Sequence, residues 1–308
     1  MTTSGKHTGR RAVLGVGAGA VLALAVPMGG TARAEGRVSQ RGGGVTGALA
    51  DLEREHGARL GVFARNTVTG AQVRYRAEEL FPICSVHKIV TASTVLRDRD
   101  RDGEFLARRI HYTAEDVTAS GYAPITGTPE HLASGMTVAE LCAAALDYSD
   151  NAADNLLLRE LGGPTAITRF CRSLGDRVTR LDRWEPALNS AEPGRVSDTT
   201  SPAAIARTLT DLLLGTALAP RDRRRLTEWM LANTTGAGRL RAGLPSGWAL
   251  ADKTGTGDYG ATNDVGIAWT PDGTPLVLSV LSTTTRADAT ADEALLARAT
   301  ALVVPALS

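Results

Sequence analysis

The residues best suited to chemistry begin with a serine and a lysine three positions apart. Ser85 and Lys88 follow Pro82, and the residue before a proline favours extended backbone. Apolar residues then recur at helical spacing from Ile89 to Leu96, which predicts a helix with Ser85 in its first turn. Because residues i and i+3 share a helix face, the lysine can help to remove the hydroxyl proton and make the serine a nucleophile.

A second polar segment is Ser149-Asp150-Asn151, at a predicted break between two helices. Here Ser149 could relay a proton to a leaving nitrogen, and the Asn151 amide could bind a substrate carbonyl. We expect Asp150 to tie down the backbone. Taken alone, the segment could equally be an ordinary Asx-type helix break.

A third segment, Lys253-Thr254-Gly255, lies on a predicted strand. The lysine supplies positive charge, the threonine a hydroxyl, and the glycine a site where a substrate can approach the backbone. The next N–H, that of Thr256, could form an oxyanion hole together with the N–H of Ser85. The alternative is an edge strand that carries a solubilising lysine.

Residues 176–200 are rich in Pro, Gly, Asp and Ser and predict a long loop. A loop of this length in a compact domain is usually functional. Within it, Glu185 and Asn189 could hold a water between them, with the carboxylate as general base. Arg183 could pair with Asp198 and so clamp the loop, although a merely exposed pair would contribute little.

The surrounding elements suggest how these segments meet. The predicted order is one helix, two strands, a long helical section with a capping box at Thr137 and Glu140, three strands and a last helix. The predicted outer elements are 46–56, 60–66, 71–75, 248–253, 264–270, 276–282 and 291–303. This order indicates an α/β (α+β) protein in which an antiparallel sheet forms from both ends of the chain, with a helical domain inserted between them.

The composition is that of a soluble globular protein, with 43% hydrophobic and 22% charged residues among 308. The first 34 residues hold four basic side chains and no acid, so their removal changes the net charge from +1 to −3. A mildly acidic chain with 4% aromatic residues and no basic cluster argues against nucleic-acid binding.

The N-terminus resembles an export signal. Arg10-Arg11 is followed by an apolar run to Met28, and Ala32-Arg33-Ala34 forms an A-x-A cleavage site. The twin-arginine pattern is imperfect, so a general secretory signal stays open, as does a retained anchor. We expect residues 1–34 to be removed, leaving a secreted protein with no membrane contact and a flexible start at 35–46.

Cysteine and histidine spacing predicts neither a disulfide framework nor a metal site. Cys84, Cys142 and Cys171 are odd in number and far apart. Free buried thiols are expected, with a single Cys142–Cys171 disulfide as the alternative. The five histidines show no metal-binding motif, so we predict no metal and no cofactor.

S-x-x-K, S-D-N and K-T-G in this order are the signature of penicillin-interacting serine enzymes. With the segment R-W-E-P-A-L-N at 183–189, the chain resembles the class A β-lactamases over essentially all of its mature length. The resemblance implies a five-stranded antiparallel sheet flanked by helices (47–83 and 232–308) and an all-helical domain (84–231), with the active site between them.

The resemblance also implies roles for individual residues. Ser85 would be acylated, Lys88 and Glu185 would share the acylation network, and Glu185 would activate the deacylating water. Which of those two is the acylation base stays open. Ser149 and Lys253 would serve in proton transfer and substrate binding. The implied substrate-contacting residues are Asn151, Asn189, Thr254, Gly255, Thr256, Arg239 and, as a weaker transfer, Tyr122.

The chain also departs from the family pattern. Val86-His87 stands where threonine and phenylalanine are common, a change that we expect to alter packing under the serine and not the chemistry. No arginine follows K-T-G closely, so we assign the substrate carboxylate to Arg239. Gly257 stands where some members carry a cysteine that pairs with the one before the serine, so that disulfide is expected to be absent.

The expected function is hydrolysis of the β-lactam ring by a monomeric, secreted serine enzyme that acts on small-molecule antibiotics and confers resistance. The alternative is a D-alanyl-D-alanine peptidase (a penicillin-binding protein) or a β-lactam sensor, either of which would stay acylated. A Ser-His-Asp esterase is disfavoured because the chain has no G-x-S-x-G elbow.

Overall fold

The computed structural model describes Met1 and residues 32–307, and for residues 32–43 it describes the backbone only. The predicted export signal, 1–34, therefore lies almost wholly outside the described residues. Within the described part of the chain, no helix combines the length and the apolar character needed to cross a membrane.

The described residues form twelve α-helices and nine strands. In chain order the helices are α1 Ala32–His56, α2 Lys88–Thr94, α3 Glu104–Ala107, α4 Ala114–Ser120, α5 Pro129–Ser134, α6 Val138–Asp147, α7 Asn151–Leu161, α8 Thr165–Ser173, α9 Pro202–Leu213, α10 Pro220–Leu231, α11 Leu240–Gly243 and α12 Glu293–Val303. The strands are β1 Arg59–Asn66, β2 Gln72–Tyr75, β3 Phe81–Pro82, β4 Arg109–Ile110, β5 Met136–Thr137, β6 Thr199–Thr200, β7 Ala249–Thr256, β8 Thr262–Trp269 and β9 Pro275–Thr283. Short 3-10 turns cover Cys84–His87, Ala187–Ser190 and Val304–Leu307, and a π-helical turn covers Val95–Arg99.

Five strands form one antiparallel sheet in the order β2-β1-β9-β8-β7. The sheet therefore joins two strands from the N-terminal part of the chain to three from its C-terminal part, as predicted. β7 lies at an edge, and the 3-10 turn at Cys84–His87 packs beside it. This edge is where the chemistry-bearing residues gather.

Both faces of the sheet are covered. Successive strand residues point to opposite faces, and so Val62 packs with α1 and α12 while its neighbour Phe63 packs with the helical section. Val277 and Leu278 divide between the two cores in the same way. A sheet buried on both sides gives the site a rigid wall.

Most predicted elements are confirmed to within a few residues, and the capping box at Thr137 and Glu140 is formed at the start of α6. The clearest difference is α1, which begins at Ala32 and includes the backbone of 35–46, where we predicted a flexible segment. Glu35, Arg37, Gln40 and Arg41 favour a helix, which forms here despite the four glycines at 36 and 42–44.

The three cysteines are free and buried, so the open alternative of a Cys142–Cys171 disulfide is not realised. Cys84 is likewise unpaired. A Cβ atom built on Gly257 would lie 2.9 Å from the Cys84 sulfur, and a cysteine at that position would therefore have been adjacent to it.

Candidate active site

Ser85 lies in the 3-10 turn that leads into α2, and Lys88 is the first residue of that helix. Residues i and i+3 nearly eclipse in a 3-10 turn, which brings the two side chains to the same side. The turn is fixed from outside, because the Asn263 amide on β8 donates to the carbonyls of Pro82 (2.8 Å) and Ile83 (3.2 Å). Ser85 is nevertheless 6% exposed, so its hydroxyl remains reachable.

Lys88 and Glu185 form a fully buried ion pair below the serine. The lysine nitrogen lies 3.1 Å from Oε1 of Glu185, and the Ser85 hydroxyl donates to the same oxygen at 3.4 Å. Lys88 also donates to Asn151 Oδ1 at 2.6 Å and to the Ser149 carbonyl at 2.8 Å. One carboxylate oxygen thus touches both the nucleophile and the lysine.

The segment Ser149-Asp150-Asn151 forms the break between α6 and α7. Ser149 has a positive φ of 60°, which is unusual for a residue other than glycine. Asp150 caps α7 by accepting from the N–H of Ala153, and it also accepts from the N–H of Thr126. As expected, Asp150 ties down the backbone, which leaves its two neighbours to face the cavity.

Lys253 is buried on β7 and donates to the Ser149 hydroxyl at 3.0 Å. Burial, together with the nearby charge of Lys88, lowers the pKa of Lys253 to about 7. A lysine with such a pKa can hold or release a proton near neutral pH. The Thr254 hydroxyl on the same strand lies 2.5 Å from that of Thr235, a cavity residue that the sequence reasoning missed.

Gly255 allows a close approach to its backbone, but the group that approaches is the turn before Ser85, whereas we expected the substrate. A Cβ atom built there would lie 3.1 Å from Cys84 Cβ and 3.2 Å from the Ile83 carbonyl oxygen. The glycine thus lets strand β7 pack against the turn that carries Ser85. This packing sets the separation between the backbone of Ser85 and that of Thr256.

The long loop holds Glu185 against α7. Asn155 accepts from the N–H of Glu185 at 3.0 Å and donates to its carbonyl at 2.9 Å. The sequence reasoning missed Asn155, although its spacing of four from Asn151 places both on one helix face. Asn189 donates to Oε2, the other oxygen of the Glu185 carboxylate, at 2.5 Å.

The loop is clamped at its ends as predicted. Arg183 Nε lies 2.7 Å from Asp198 Oδ2, and this aspartate is fully buried. Asp198 also accepts from the backbone N–H groups of Asp182 and Arg183 through its other oxygen. Because Asp198 is buried, removing Arg183 would leave a buried charge without its partner, which costs more than breaking an exposed ion pair.

Arg239 approaches the site from beneath the end of β7. It is 5% exposed, and it donates to the carbonyls of Gly255 and Asn263 and, at 2.8 Å, to the Thr256 hydroxyl. Its Nε also pairs with Glu293. The guanidinium charge therefore reaches the cavity next to the Thr256 hydroxyl.

These segments enclose a cleft of about 510 Å³. Its lining includes nine of the predicted residues, which are Ser85, Tyr122, Ser149, Asn151, Asn189, Arg239, Thr254, Gly255 and Thr256. The other three, Lys88, Glu185 and Lys253, are buried beside the lining residues that they contact. A larger cleft of about 720 Å³ lies elsewhere, beside Arg59 and Val196, and contains no predicted site residue.

A buried histidine next to the nucleophile was not predicted to carry charge. His87 lies 2.8 Å from Asp154, and both side chains are fully buried. Burial alone would lower the pKa of His87, but the charge and hydrogen bond of Asp154 outweigh burial, and the pKa is raised. The sequence showed an unusual histidine at this position, but nothing in it linked that histidine to an aspartate in α7.

His87, Asp154 and Glu185 also place possible metal-binding atoms within 4.8 Å of one another. The ammonium group of Lys88 already contacts Glu185, and His87 already pairs with Asp154. The three ligand atoms are thus committed to internal ion pairs, and a further cation would be repelled by the lysine.

Known proteins resemble this chain over most of its length. The model of the β-lactamase enzyme family matches residues 45–307. A curated β-lactamase of Streptomyces lavendulae is 59% identical over 308 residues, covering 100% of both chains, and one of Streptomyces fradiae is 60% identical, covering 97% of each.

Solved structures give the same result. The β-lactamase from Streptomyces albus G superposes with a TM-score of 0.85 at 60% identity, covering 86% of this chain and 99% of that one. An ancestral class A β-lactamase superposes with a TM-score of 0.80 at 52% identity, covering 85% and 99%. The chain therefore belongs to the class A β-lactamase family.

Proposed function

We propose that the protein hydrolyses the β-lactam ring of penicillin-type antibiotics through an acyl-enzyme on Ser85. The observation that carries the proposal is the position of the Glu185 carboxylate. One of its oxygens reaches both the Ser85 hydroxyl (3.4 Å) and the Lys88 ammonium (3.1 Å), while Asn189 holds the other. A single carboxylate is thus placed to serve both formation and breakdown of an ester.

In the first half-reaction, Ser85 Oγ attacks the lactam carbonyl carbon. Its proton passes to the Lys88–Glu185 pair, whose nitrogen and Oε1 atoms lie 3.1 Å apart. The negative charge that develops on the lactam oxygen faces the N–H groups of Ser85 and Thr256. The ring C–N bond then breaks, and the Ser149 hydroxyl supplies the proton that the nitrogen needs.

Ser149 is placed for this step by Lys253, which donates to its hydroxyl at 3.0 Å. Because Lys88 contacts the Ser149 carbonyl, both lysines lie close to the path along which the proton returns. The substrate carboxylate, an anion in penicillins, would bind near Lys253, Thr254 and Thr256. Arg239 adds charge there through its bond to the Thr256 hydroxyl.

In the second half-reaction, water attacks the ester carbon and gives its proton to Glu185. The bond to Ser85 Oγ then breaks and the serine recovers its hydrogen. One observation supports a water at this point. The Asn189 side-chain oxygen is buried and has no hydrogen-bond partner among the described residues, and a buried polar atom of this kind usually has one.

The experiment compares the wild type with Glu185→Gln, which keeps the size of the side chain but loses the base. Mixed with benzylpenicillin, the variant should retain an adduct with the mass of the whole antibiotic, whereas the wild type should clear it. Ser85→Ala in the same background is the control and should form no adduct. Clearance by Glu185→Gln at the wild-type rate would remove this carboxylate from deacylation.

The rival proposal is a peptidase or sensor that stays acylated. It would be favoured if the wild type retained the adduct as well. The paired Glu185 and Asn189 favour hydrolysis, because an enzyme that keeps its acyl group has no use for a carboxylate held against the ester.

We also propose that the protein is exported and acts as a monomer that needs no cofactor. Export is supported by the twin arginine, the apolar run and the A-x-A site in residues 1–34.

The proposed two-domain division, 47–83 with 232–308 against 84–231, is supported by the sheet. All five of its strands come from the first set, and α2 to α10 come from the second. Sedimentation of the purified protein and sequencing of its mature N-terminus test the oligomeric state and the processing.

A further inference from the structure

A charged pair lies directly beneath the turn that presents the nucleophile. His87 and Asp154 are both completely buried. The Nδ1 atom of His87 lies 2.7 Å from the carbonyl oxygen of Cys84, and its Nε2 atom lies 2.8 Å from Oδ2 of Asp154. The ring thus bridges the Ser85 turn and helix α7.

The partners of the ring fix its protons. A carbonyl oxygen can only accept, so Nδ1 must donate to Cys84; a carboxylate accepts, so Nε2 donates to Asp154. An imidazole with both N–H groups is a cation. The charge of Asp154 stabilises that cation and keeps the pKa of His87 raised despite burial.

The other charges that face this pair balance it. Lys88 and Glu185 act on His87 in opposite directions, and Lys88 further stabilises the Asp154 carboxylate. The Thr91 hydroxyl, on α2, also faces Asp154. These four buried side chains carry two positive and two negative charges. Because the charges balance, His87 can stay charged while the Lys88–Glu185 ion pair is preserved.

The carbonyl held by His87 belongs to the same peptide as the N–H of Ser85. In a trans peptide the C=O and N–H point in opposite directions, so fixing the Cys84 oxygen on the inner side directs the Ser85 N–H to the outer side. Cys84 has a φ of 45°, a conformation that persists only when its surroundings hold it. The charged donor also polarises the peptide and strengthens its N–H as a donor.

We propose that His87 is a positioning residue for the oxyanion hole. It acts through the Cys84–Ser85 peptide, and Asp154 keeps its ring charged and in place. The inference rests on the proposed acyl-enzyme chemistry and adds to it a residue that does not touch the substrate. It also revises the expectation that the unusual histidine alters only packing under the serine.

Two substitutions of His87 each keep one of its two hydrogen bonds and remove the other. The amide nitrogen of His87→Asn falls near the position of Nδ1 and retains a donor to Cys84, whereas that of His87→Gln falls near Nε2 and retains a donor to Asp154. If one oxyanion donor is misdirected, acylation by benzylpenicillin in stopped-flow measurements should slow by about tenfold or more in His87→Gln and by much less in His87→Asn. The exposed His111→Asn is the control and should match the wild type.

A spectroscopic readout excludes a purely structural role. In the Glu185→Gln background, the infrared band of the acyl-enzyme ester carbonyl reports how strongly the oxyanion hole polarises it. The band should move to higher wavenumber when His87→Gln is added, and it should stay near its original position with His87→Asn. If a single variant fails to fold, His87→Phe with Asp154→Ala removes both charges together, and it should show slowed acylation and the same band shift.

The outcomes distinguish this inference from the proposal beneath it. If the parent enzyme forms no adduct on Ser85, the acyl-enzyme chemistry itself is wrong. If the adduct forms but the Gln and Asn variants acylate equally fast, with the carbonyl band unmoved, His87 does not position the oxyanion hole. The double variant likewise overturns that role if its acylation rate and its carbonyl band both equal those of the parent.

Discussion

The clamp between Arg183 and Asp198 gives a prediction with a magnitude. Asp198 is fully buried, while the Arg183 side chain is 33% exposed, and Nε lies 2.7 Å from the carboxylate. Arg183→Ala removes this partner and also the bond from Nη2 to the Ser190 hydroxyl at 2.9 Å. The substitution therefore removes the ion-pair partner of a buried carboxylate and releases two points of the loop.

The loss of unfolding free energy in Arg183→Ala depends on the partners that Asp198 keeps. Breaking a buried ion pair costs about 3–5 kcal/mol, and losing a hydrogen bond to a charged group costs about 1.5–3 kcal/mol. Asp198 keeps two backbone N–H donors, and Arg183 is partly solvated. The lower part of these ranges applies, so we expect a loss of about 2–3 kcal/mol in unfolding free energy. For a domain of this size that loss lowers the melting temperature by about 5 °C.

The catalytic activity of Arg183→Ala should fall together with its stability, because Glu185 lies only two residues after Arg183. A small displacement of a catalytic group can cost a large factor in rate, and we expect deacylation of benzylpenicillin to slow by roughly tenfold or more. Thermal melting and the decay of the adduct in mass spectra measure the two effects.

The matched control is Arg180→Ala in the same loop. Arg180 pairs with Asp182, but their side chains are 43% and 25% exposed, so this pair should contribute below about 1 kcal/mol. Equal melting temperatures and equal deacylation rates for the two variants would refute the reasoning from burial.

Two other predictions concern the binding of the substrate carboxylate. The pKa of Lys253 is lowered to about 7, so its positive charge is present below that pH and is lost above it. We therefore expect kcat/KM for an anionic penicillin to fall as the pH rises through 7. Lys253→Arg stays charged at these pH values and should remove this alkaline limb of the pH–rate profile. An identical limb in the variant would assign it to another group. Arg239→Ala should raise KM for benzylpenicillin by about tenfold while leaving KM for its methyl ester nearly unchanged, and equal effects on acid and ester would place the carboxylate elsewhere.

Local sequence signals predicted much of the fold. Short apolar runs and the turns between them located all five strands of the sheet, and the capping box at Thr137 and Glu140 located the start of α6. Helices α3 to α5 were not delimited, because they have four to seven residues and too few turns to show a period. Helix α1 extends further than predicted because the glycines at 42–44 interrupt a helical pattern without ending the helix.

The site was predicted to the extent that its residues stand in motifs. The four segments carry their chemistry in adjacent residues, and their meeting follows from the family resemblance. Contacts between residues distant in sequence left no such signal. Neither Asn155, which holds Glu185, nor the His87–Asp154 pair could be identified without knowing that α7 packs under the Ser85 turn.

The central claim is that a serine captures the lactam and that a carboxylate-held water then frees it. The most direct test follows wild-type protein and benzylpenicillin by mass spectrometry and by product analysis in the same sample. We predict a short-lived adduct on the peptide containing Ser85 and a steady release of penicilloate over many turnovers. A permanent adduct with no penicilloate, or penicilloate formed without any modification of Ser85, would contradict the account.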